Sequence, residues 1–215
     1  MTSFRHWTII ASAIFHFAGG HALAAEVAFG VTDQNGKPAD NAVVSLTPEF
    51  GAAPYAAPAG PWIIDQQNVT FLPLVTIVPR GGQAIFTNND RTRHHVYSFS
   101  GIKKFDLVLS PGQKSSPVTF DQEGVAIIGC NIHDGMITYA YVSVTPFTEL
   151  TGADGRATIA RLGSGPYQAR VWHPRMKPGA EPPAQKITVG TASVEIKFSV
   201  PLMPERSRST HHRSY

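Results

Sequence analysis

Along the chain, short runs rich in β-branched and aromatic residues alternate with clusters of Gly, Pro, Asn and Asp, and no long stretch carries a helical repeat. Such a pattern predicts strands over Glu26–Thr32, Ala42–Thr47, Leu74–Val78, Gln83–Asn88, His95–Ser100, Lys104–Leu109, Ser116–Asp121, Gly124–Gly129 and Ile137–Val144. Beyond these it predicts Gly155–Leu162, Tyr167–Trp172, Gln185–Val189 and Ser193–Val200. Turn chemistry separates the runs, as in Asp33-Gln34-Asn35-Gly36 and Pro79-Arg80-Gly81-Gly82. An all-β protein built from sandwiches is expected.

Composition divides the chain further. An Ala, Pro and Gly-rich segment from Gly51 to Gly60 reads as a loop, and a second break falls near Pro146. Between them, residues 62–145 have the size of one small sandwich domain. The flanks, 25–50 and 146–202, differ in character. Val27-Ala28-Phe29-Gly30-Val31-Thr32-Asp33, Gly36-Lys37-Pro38 and Ala42-Val43-Val44-Ser45-Leu46 open the first; Thr151-Gly152-Ala153-Asp154-Gly155-Arg156-Ala157 and Gly165-Pro166-Tyr167-Gln168-Ala169-Arg170-Val171 belong to the second. Together they resemble the carboxypeptidase-regulatory-like and transthyretin-like modules. The resemblance implies one small β-sandwich split by an inserted domain; the other arrangement is a tandem pair with an unpaired N-terminal hairpin.

Residues 1–24 stand apart. Arg5 and His6 precede an apolar stretch from Trp7 to Ala18, which leads to small residues at Ala22-Leu23-Ala24. This is the pattern of a secretory signal cleaved after about Ala24. The stretch is shorter than the roughly 20 apolar residues of a membrane span and is broken by His16 and a Gly-Gly pair. The expectation is a periplasmic protein with no membrane span in the mature chain. The 18 basic and 15 acidic residues nearly balance, which argues for no particular charged partner. A basic tail, 203–215, has no apolar periodicity and reads as a disordered end, not a nucleic-acid arm.

Chemistry enters with the only cysteine. A single thiol cannot form a disulfide within its chain, so in an oxidising compartment it is either buried or occupied. Cys130 opens Cys130-Asn131-Ile132-His133-Asp134-Gly135-Met136, a short Gly-containing loop between two predicted strands, so three metal-capable side chains converge. Copper cycling between oxidation states needs soft sulfur and imidazole together, and two His, one Cys and a distant Met meet that need. Zinc also accepts Cys and His, but a thioether suits it poorly. A Cys–His nucleophile would draw its base from elsewhere in the fold, and a c-type haem needs a second cysteine. No catalytic residue is assigned. The remaining histidine ligand should come from another strand, and Asn88-Asn89-Asp90-Arg91-Thr92-Arg93-His94-His95-Val96 offers two.

In these two motifs, and over 62–145 as a whole, the chain resembles the cupredoxins, especially the amicyanin and plastocyanin type. With Tyr97-Ser98-Phe99-Ser100 and Trp172-His173-Pro174 added, it also resembles exported proteins labelled methylamine-utilisation proteins; nothing in these residues recognises an amine. The resemblance implies a Greek-key β-sandwich holding one mononuclear type-1 copper, with His94, Cys130, His133 and Met136 as ligands. His95 occupies the position where blue copper proteins usually carry an Asn that ties the two ligand loops, which leaves His95 as the alternative to His94. The implied function is one-electron outer-sphere transfer. A redox protein would dock near His133, on apolar surface to which Ile132, Gly135 and Met136 contribute. Copper delivery or storage without electron transfer is the alternative. His173 is expected to be structural, with Trp172 in the core of the flanking module, while His211 and His212 lie in the tail.

Overall fold

The computed structural model describes residues 25–51 and 59–205. The expected signal, most of the Gly51–Gly60 loop, and the tail from residue 206, with His211 and His212, lie outside the described residues. Every named element among them is a strand, and none of their helices is long and apolar enough to cross a membrane.

The chain forms two sandwiches, one set inside the other. Strands β1 (Ala25–Asp33) and β2 (Val43–Pro48) come first. The inner unit follows: β3 (Trp62–Gln66), β4 (Phe71–Leu72), β5 (Val75–Pro79), β6 (Gly82–Asn88), β7 (His94–Ser100), β8 (Lys103–Leu109), β9 (Val118–Phe120), β10 (Gly124–Cys130) and β11 (Ile137–Ser143). Then β12 (Thr148–Leu150), β13 (Arg156–Leu162), β14 (Gly165–Trp172), β15 (Ala184–Val189) and β16 (Val194–Val200) return to the outer unit.

Pairing makes the division concrete. β1 lies between β13 and β16, parallel to the latter, and β2 lies between β12 and β14, which pairs with β15. These two sheets enclose one core, in which Phe29, Val44, Leu46, Tyr167, Val171 and Phe198 meet. The inner unit packs a five-stranded sheet, ordered β5-β11-β10-β7-β8, on a four-stranded one, ordered β4-β3-β6-β9. Its separate core contains Ile64, Phe86, Val96, Phe120, Ile128 and Ala140. Where the chain leaves and rejoins the outer sandwich, the two crossing points touch: the Leu46 N–H donates to the Phe147 carbonyl at 2.8 Å, and the Thr145 hydroxyl donates to the Leu46 carbonyl at 2.8 Å.

Three strands go beyond the expected set. β3 ends in Asp65-Gln66 beside a loop-like segment, so its apolar signal is only Trp62, Ile63 and Ile64; parallel pairing to β6 makes it a strand. β4 and β12 are too short to show any period. The tail differs from expectation at its start, where the Met203 N–H donates to the Arg175 carbonyl at 2.8 Å and Glu205 pairs with Arg175 at 3.5 Å.

Trp172 packs at the edge of the flanking module's core, as expected, and also reaches beyond it. It is half-buried at the end of β14 and meets Tyr139 and Tyr141 of β11, with ring centroids 5.5 and 5.7 Å away. Burial pushes the Tyr141 pKa up, and the neighbouring Ser45 side chain works against that shift. This contact explains the unbroken buried run of Val43, Val44, Ser45 and Leu46. Val44 and Leu46 enter the outer core, while Val43 and Ser45 fall on the other face of the strand. His173 is buried, as a structural residue should be. Its Nδ1 accepts the Arg175 N–H at 2.9 Å, so Nε2 carries the proton given to the Asp40 carbonyl at 3.0 Å.

Candidate metal centre

The predicted ligands meet at one end of the five-stranded sheet. β7 and β10 are antiparallel neighbours, with Cys130 opposite Val96, so the start of one strand lies beside the end of the other. Side chains alternate along a strand. Val96 and Ser98 point into the sandwich, and His94 shares their face and is fully buried, 0% exposed. His95 takes the outward face, where Nε2 pairs with Asp106 Oδ1 at 2.7 Å and Nδ1 lies 3.4 Å from Asn131 Nδ2. Of the two histidines left open by sequence, His95 is therefore turned away from the cysteine. It still ties the two loops, because its carbonyl accepts the Asn131 N–H at 2.9 Å.

The loop 131–136 returns the chain from β10 to β11. Gly135 has φ +80°, a left-handed conformation that costs a residue without Cβ little. The Cys130 N–H reaches the Met136 carbonyl at 3.3 Å, closing the loop at its base. His133 is thereby folded back over Cys130.

The resulting donor set is tight. His94 Nδ1 lies 3.6 Å from Cys130 Sγ, His133 Nδ1 also lies 3.6 Å from it, and the two nitrogens are 3.1 Å apart. The imidazole rings are tilted 57° to each other, with centroids 4.7 Å apart. Among the described residues this is the one cluster of His, Cys and acidic side chains with metal-binding geometry. Bonds of about 2.0–2.3 Å from a first-row ion to nitrogen and sulfur, at angles of about 100–120°, put neighbouring donors roughly 3.1–3.8 Å apart, so these residues fit around a single ion. Met136 is 5% exposed and belongs to the same buried cluster as Cys130. A soft thioether beside two imidazoles and a thiolate is the donor chemistry of copper rather than zinc.

The electrostatics favour cation binding. Burial, and then the neighbouring His94, lower the His133 pKa below its ordinary value, against the opposing charge of Asp90, which keeps its ring neutral and able to donate a lone pair. Asp90 was not among the sequence candidates. Its Oδ2 lies 3.1 Å from His94 Nε2 and accepts the Val69 N–H at 2.6 Å. Burial works to raise its pKa, but the bonds from Val69 and His94 outweigh that and hold the carboxyl below its ordinary value. In the sequence Asp90 looks like one more polar residue of a turn; its place four residues before His94 is the only signal it gives.

A two-sheet sandwich with His, Cys and His converging at one end, and Met buried beside them, is a cupredoxin-like arrangement. Solved structures similar to part of the chain include the purple cupredoxin from Nitrosopumilus maritimus, at 23% identity over 39% of this chain and 100% of that one, with a TM-score of 0.35. Amicyanin from Paracoccus versutus is 20% identical over 46% of this chain and 97% of its own, with a TM-score of 0.36. The copper-containing nitrite reductase from Thermus scotoductus is 23% identical over 46% of this chain but only 26% of its own length, with a TM-score of 0.38. No protein-family model and no curated protein matches the sequence.

Proposed function

We propose that this protein is a type-1 copper electron carrier of the periplasm, exchanging single electrons with a redox protein that docks near His133. The observation that carries the reading is the buried triangle of His94 Nδ1, His133 Nδ1 and Cys130 Sγ, with edges of 3.1 to 3.6 Å. When bound, copper would supply a one-electron couple at a site whose sulfur and imidazole donors suit both oxidation states.

The chain's own residues supply the rest. Cys130 provides the thiolate, His94 and His133 the two imidazoles, and Met136 the weak thioether. Strands β7 and β10 carry His94 and Cys130, and the short loop between β10 and β11, closed at its base, carries His133 and Met136, so the site would be formed in advance of binding and change little between states. His133 is half-buried beside Ile132, which is 46% exposed and gives a docking partner apolar surface at the site's edge. Met136, being buried, contributes to the site and not to that surface. Encounters on such a small patch would be short-lived. The proposed role is that of a carrier, not of a catalyst.

Cu(II) titration of the purified protein tests this. An intense visible band from thiolate-to-copper charge transfer should appear at one equivalent, vanish on reduction and return on oxidation. Cys130→Ser and His94→Ala should abolish it, whereas His95→Ala should retain it. Copper uptake without the band would refute the type-1 site. Rapid release of Cu(I) to a chelator, with no reversible one-electron wave, would instead support a delivery protein.

A further inference from the structure

The second nitrogen of His94 is engaged by a carboxylate, and that carboxylate is itself held by a strained turn. Asp90 Oδ2 lies 3.1 Å from His94 Nε2, with His94 fully buried and the Asp90 side chain 12% exposed. The same oxygen accepts the Val69 N–H at 2.6 Å. Val69 lies in the tight turn between β3 and β4, where Gln67 and Thr70 exchange backbone hydrogen bonds at 3.0 and 3.1 Å. Asn68 and Val69, the two central residues, both have positive φ, 52° and 53°. That conformation suits Asn followed by Gly. For a β-branched residue it is an outlier, and 42% of Val69 remains exposed, so packing does not reward the choice. What the turn does provide is an amide aimed at Asp90. From the other side, the Asp90 N–H donates to Asn88 Oδ1 at 2.9 Å, and Asn88 Nδ2 donates to the carbonyls of Thr92 and Leu109, each at 2.9 Å. Asp90 is thus fixed through both its backbone and its side chain.

We infer that Asp90, pinned by the Val69 amide, is the positioning residue of the metal centre: it holds the His94 proton on Nε2 and leaves the Nδ1 lone pair bare toward Cys130 and His133. A neutral imidazole has one donor and one acceptor nitrogen, and the bond at one decides the role of the other. A carboxylate at Nε2 can only accept, so the proton stays there. Its negative charge also makes the imidazole a stronger donor, and it favours the more highly charged of two metal states. The inference rests on the copper reading for its redox consequence, but its tautomer consequence holds for the metal-free chain.

The experiment therefore has two arms. In the metal-free full chain, nitrogen-detected imidazole NMR should show His94 protonated on Nε2, and Asp90→Ala should give mixed tautomers. Asp90→Asn keeps an acceptor oxygen but loses the charge, so it should retain the tautomer. In the copper-loaded chain, Asp90→Asn should lower the affinity for Cu(II) relative to Cu(I) about tenfold, a rise in potential of about 59 mV for a one-electron couple. Val69→Gly, which keeps the amide and relieves the backbone, should change neither readout. Wild-type His94 protonated on Nδ1, or Asp90→Ala leaving the tautomer unchanged, would overturn the inference whatever the metal does. An Asp90→Asn potential equal to that of the wild type would overturn the electrostatic role. Absence of the charge-transfer band would refute the copper reading alone, with the NMR arm still decisive for Asp90.

Discussion

Trp172→Ala should unlock the two sandwiches from each other. The indole is half-buried, with the rings of Tyr139 and Tyr141 at 5.5 and 5.7 Å. Aromatic pairs contribute about 0.5–1.5 kcal/mol each beyond the area they bury, so these two are worth roughly 2 kcal/mol. Loss of the buried apolar surface adds about 1–2 kcal/mol for a side chain not fully enclosed. The expected cost is therefore about 3–4 kcal/mol, a large share of a typical domain's stability. Urea unfolding should be followed by amide exchange of the outer strands β1, β13, β14 and β16 and by the charge-transfer band of the proposed copper site, which report on different parts of the chain. In the wild type the two curves should move together. In the variant, the outer sandwich should unfold first, because the inner one keeps its own separate core. A double-mutant cycle with Tyr141→Phe, then Tyr141→Ala, separates the contribution of the hydroxyl, which neighbours Ser45, from that of the ring contact. Coupling of about 1 kcal/mol between Trp172 and the Tyr141 ring is expected. A cost below about 0.5 kcal/mol, or no coupling, would refute the view that these rings join the modules.

Other consequences can be checked more briefly. His173 is pushed below its ordinary pKa, first by burial and further by the charge of Arg175, although its bond to Asp40 opposes this. The unfolded chain therefore takes up the proton first, so stability is complete above about pH 6.5 and falls as pH drops below it, by at most about 1.4 kcal/mol per pH unit. The urea midpoint should show this slope between pH 7 and 5, and His173→Gln should flatten it; an unchanged slope would be evidence against the burial argument. Gly155→Ala should cost about 2–4 kcal/mol by thermal unfolding, because φ is +71° and a Cβ there would collide with the Val31 carbonyl and come within 3.0 Å of the Ala39 nitrogen. Tyr167→Phe should cost about 1 kcal/mol, since it removes the hydroxyl bond to the Gly163 carbonyl at 2.9 Å and leaves the ring's burial intact. A loss above about 3 kcal/mol would mean that the hydroxyl has a larger role than this bond.

What could be read from sequence follows from how local each signal is. Cys130, His133 and Met136 lie in one loop, so their spacing alone brings them together. His94 comes from another strand, and its neighbour is also a histidine. Alternation does not choose between them, because β7 carries apolar residues on both faces: Val96 points inward, while Tyr97 and Phe99 face outward. The larger apolar residues are on the exposed side, and Phe99 is 73% exposed, so hydrophobicity does not fix the phase. Asp90 was illegible for a related reason. Its role depends on the Val69 amide, 21 residues earlier, and only the fold brings that amide to it. Trp172 reads as a residue of the outer core and packs against it, but its second contact, with Tyr139 and Tyr141 of the inner unit, has no mark in the sequence.

The bond between Leu46 and Phe147 has a consequence for how the chain could have been assembled. Close to that point the chain leaves the outer sandwich and rejoins it, with the whole of the inner one in between. Graft and host are joined through neighbouring residues, so either could be exchanged without redrawing the other's sheets. Order of construction is constrained as well. β1 finds its parallel neighbour β16 only after everything between them has been made, and a loop of that length closes at lower entropic cost once its middle is already compact. The donor cluster can thus be complete before the module that surrounds it in sequence has closed.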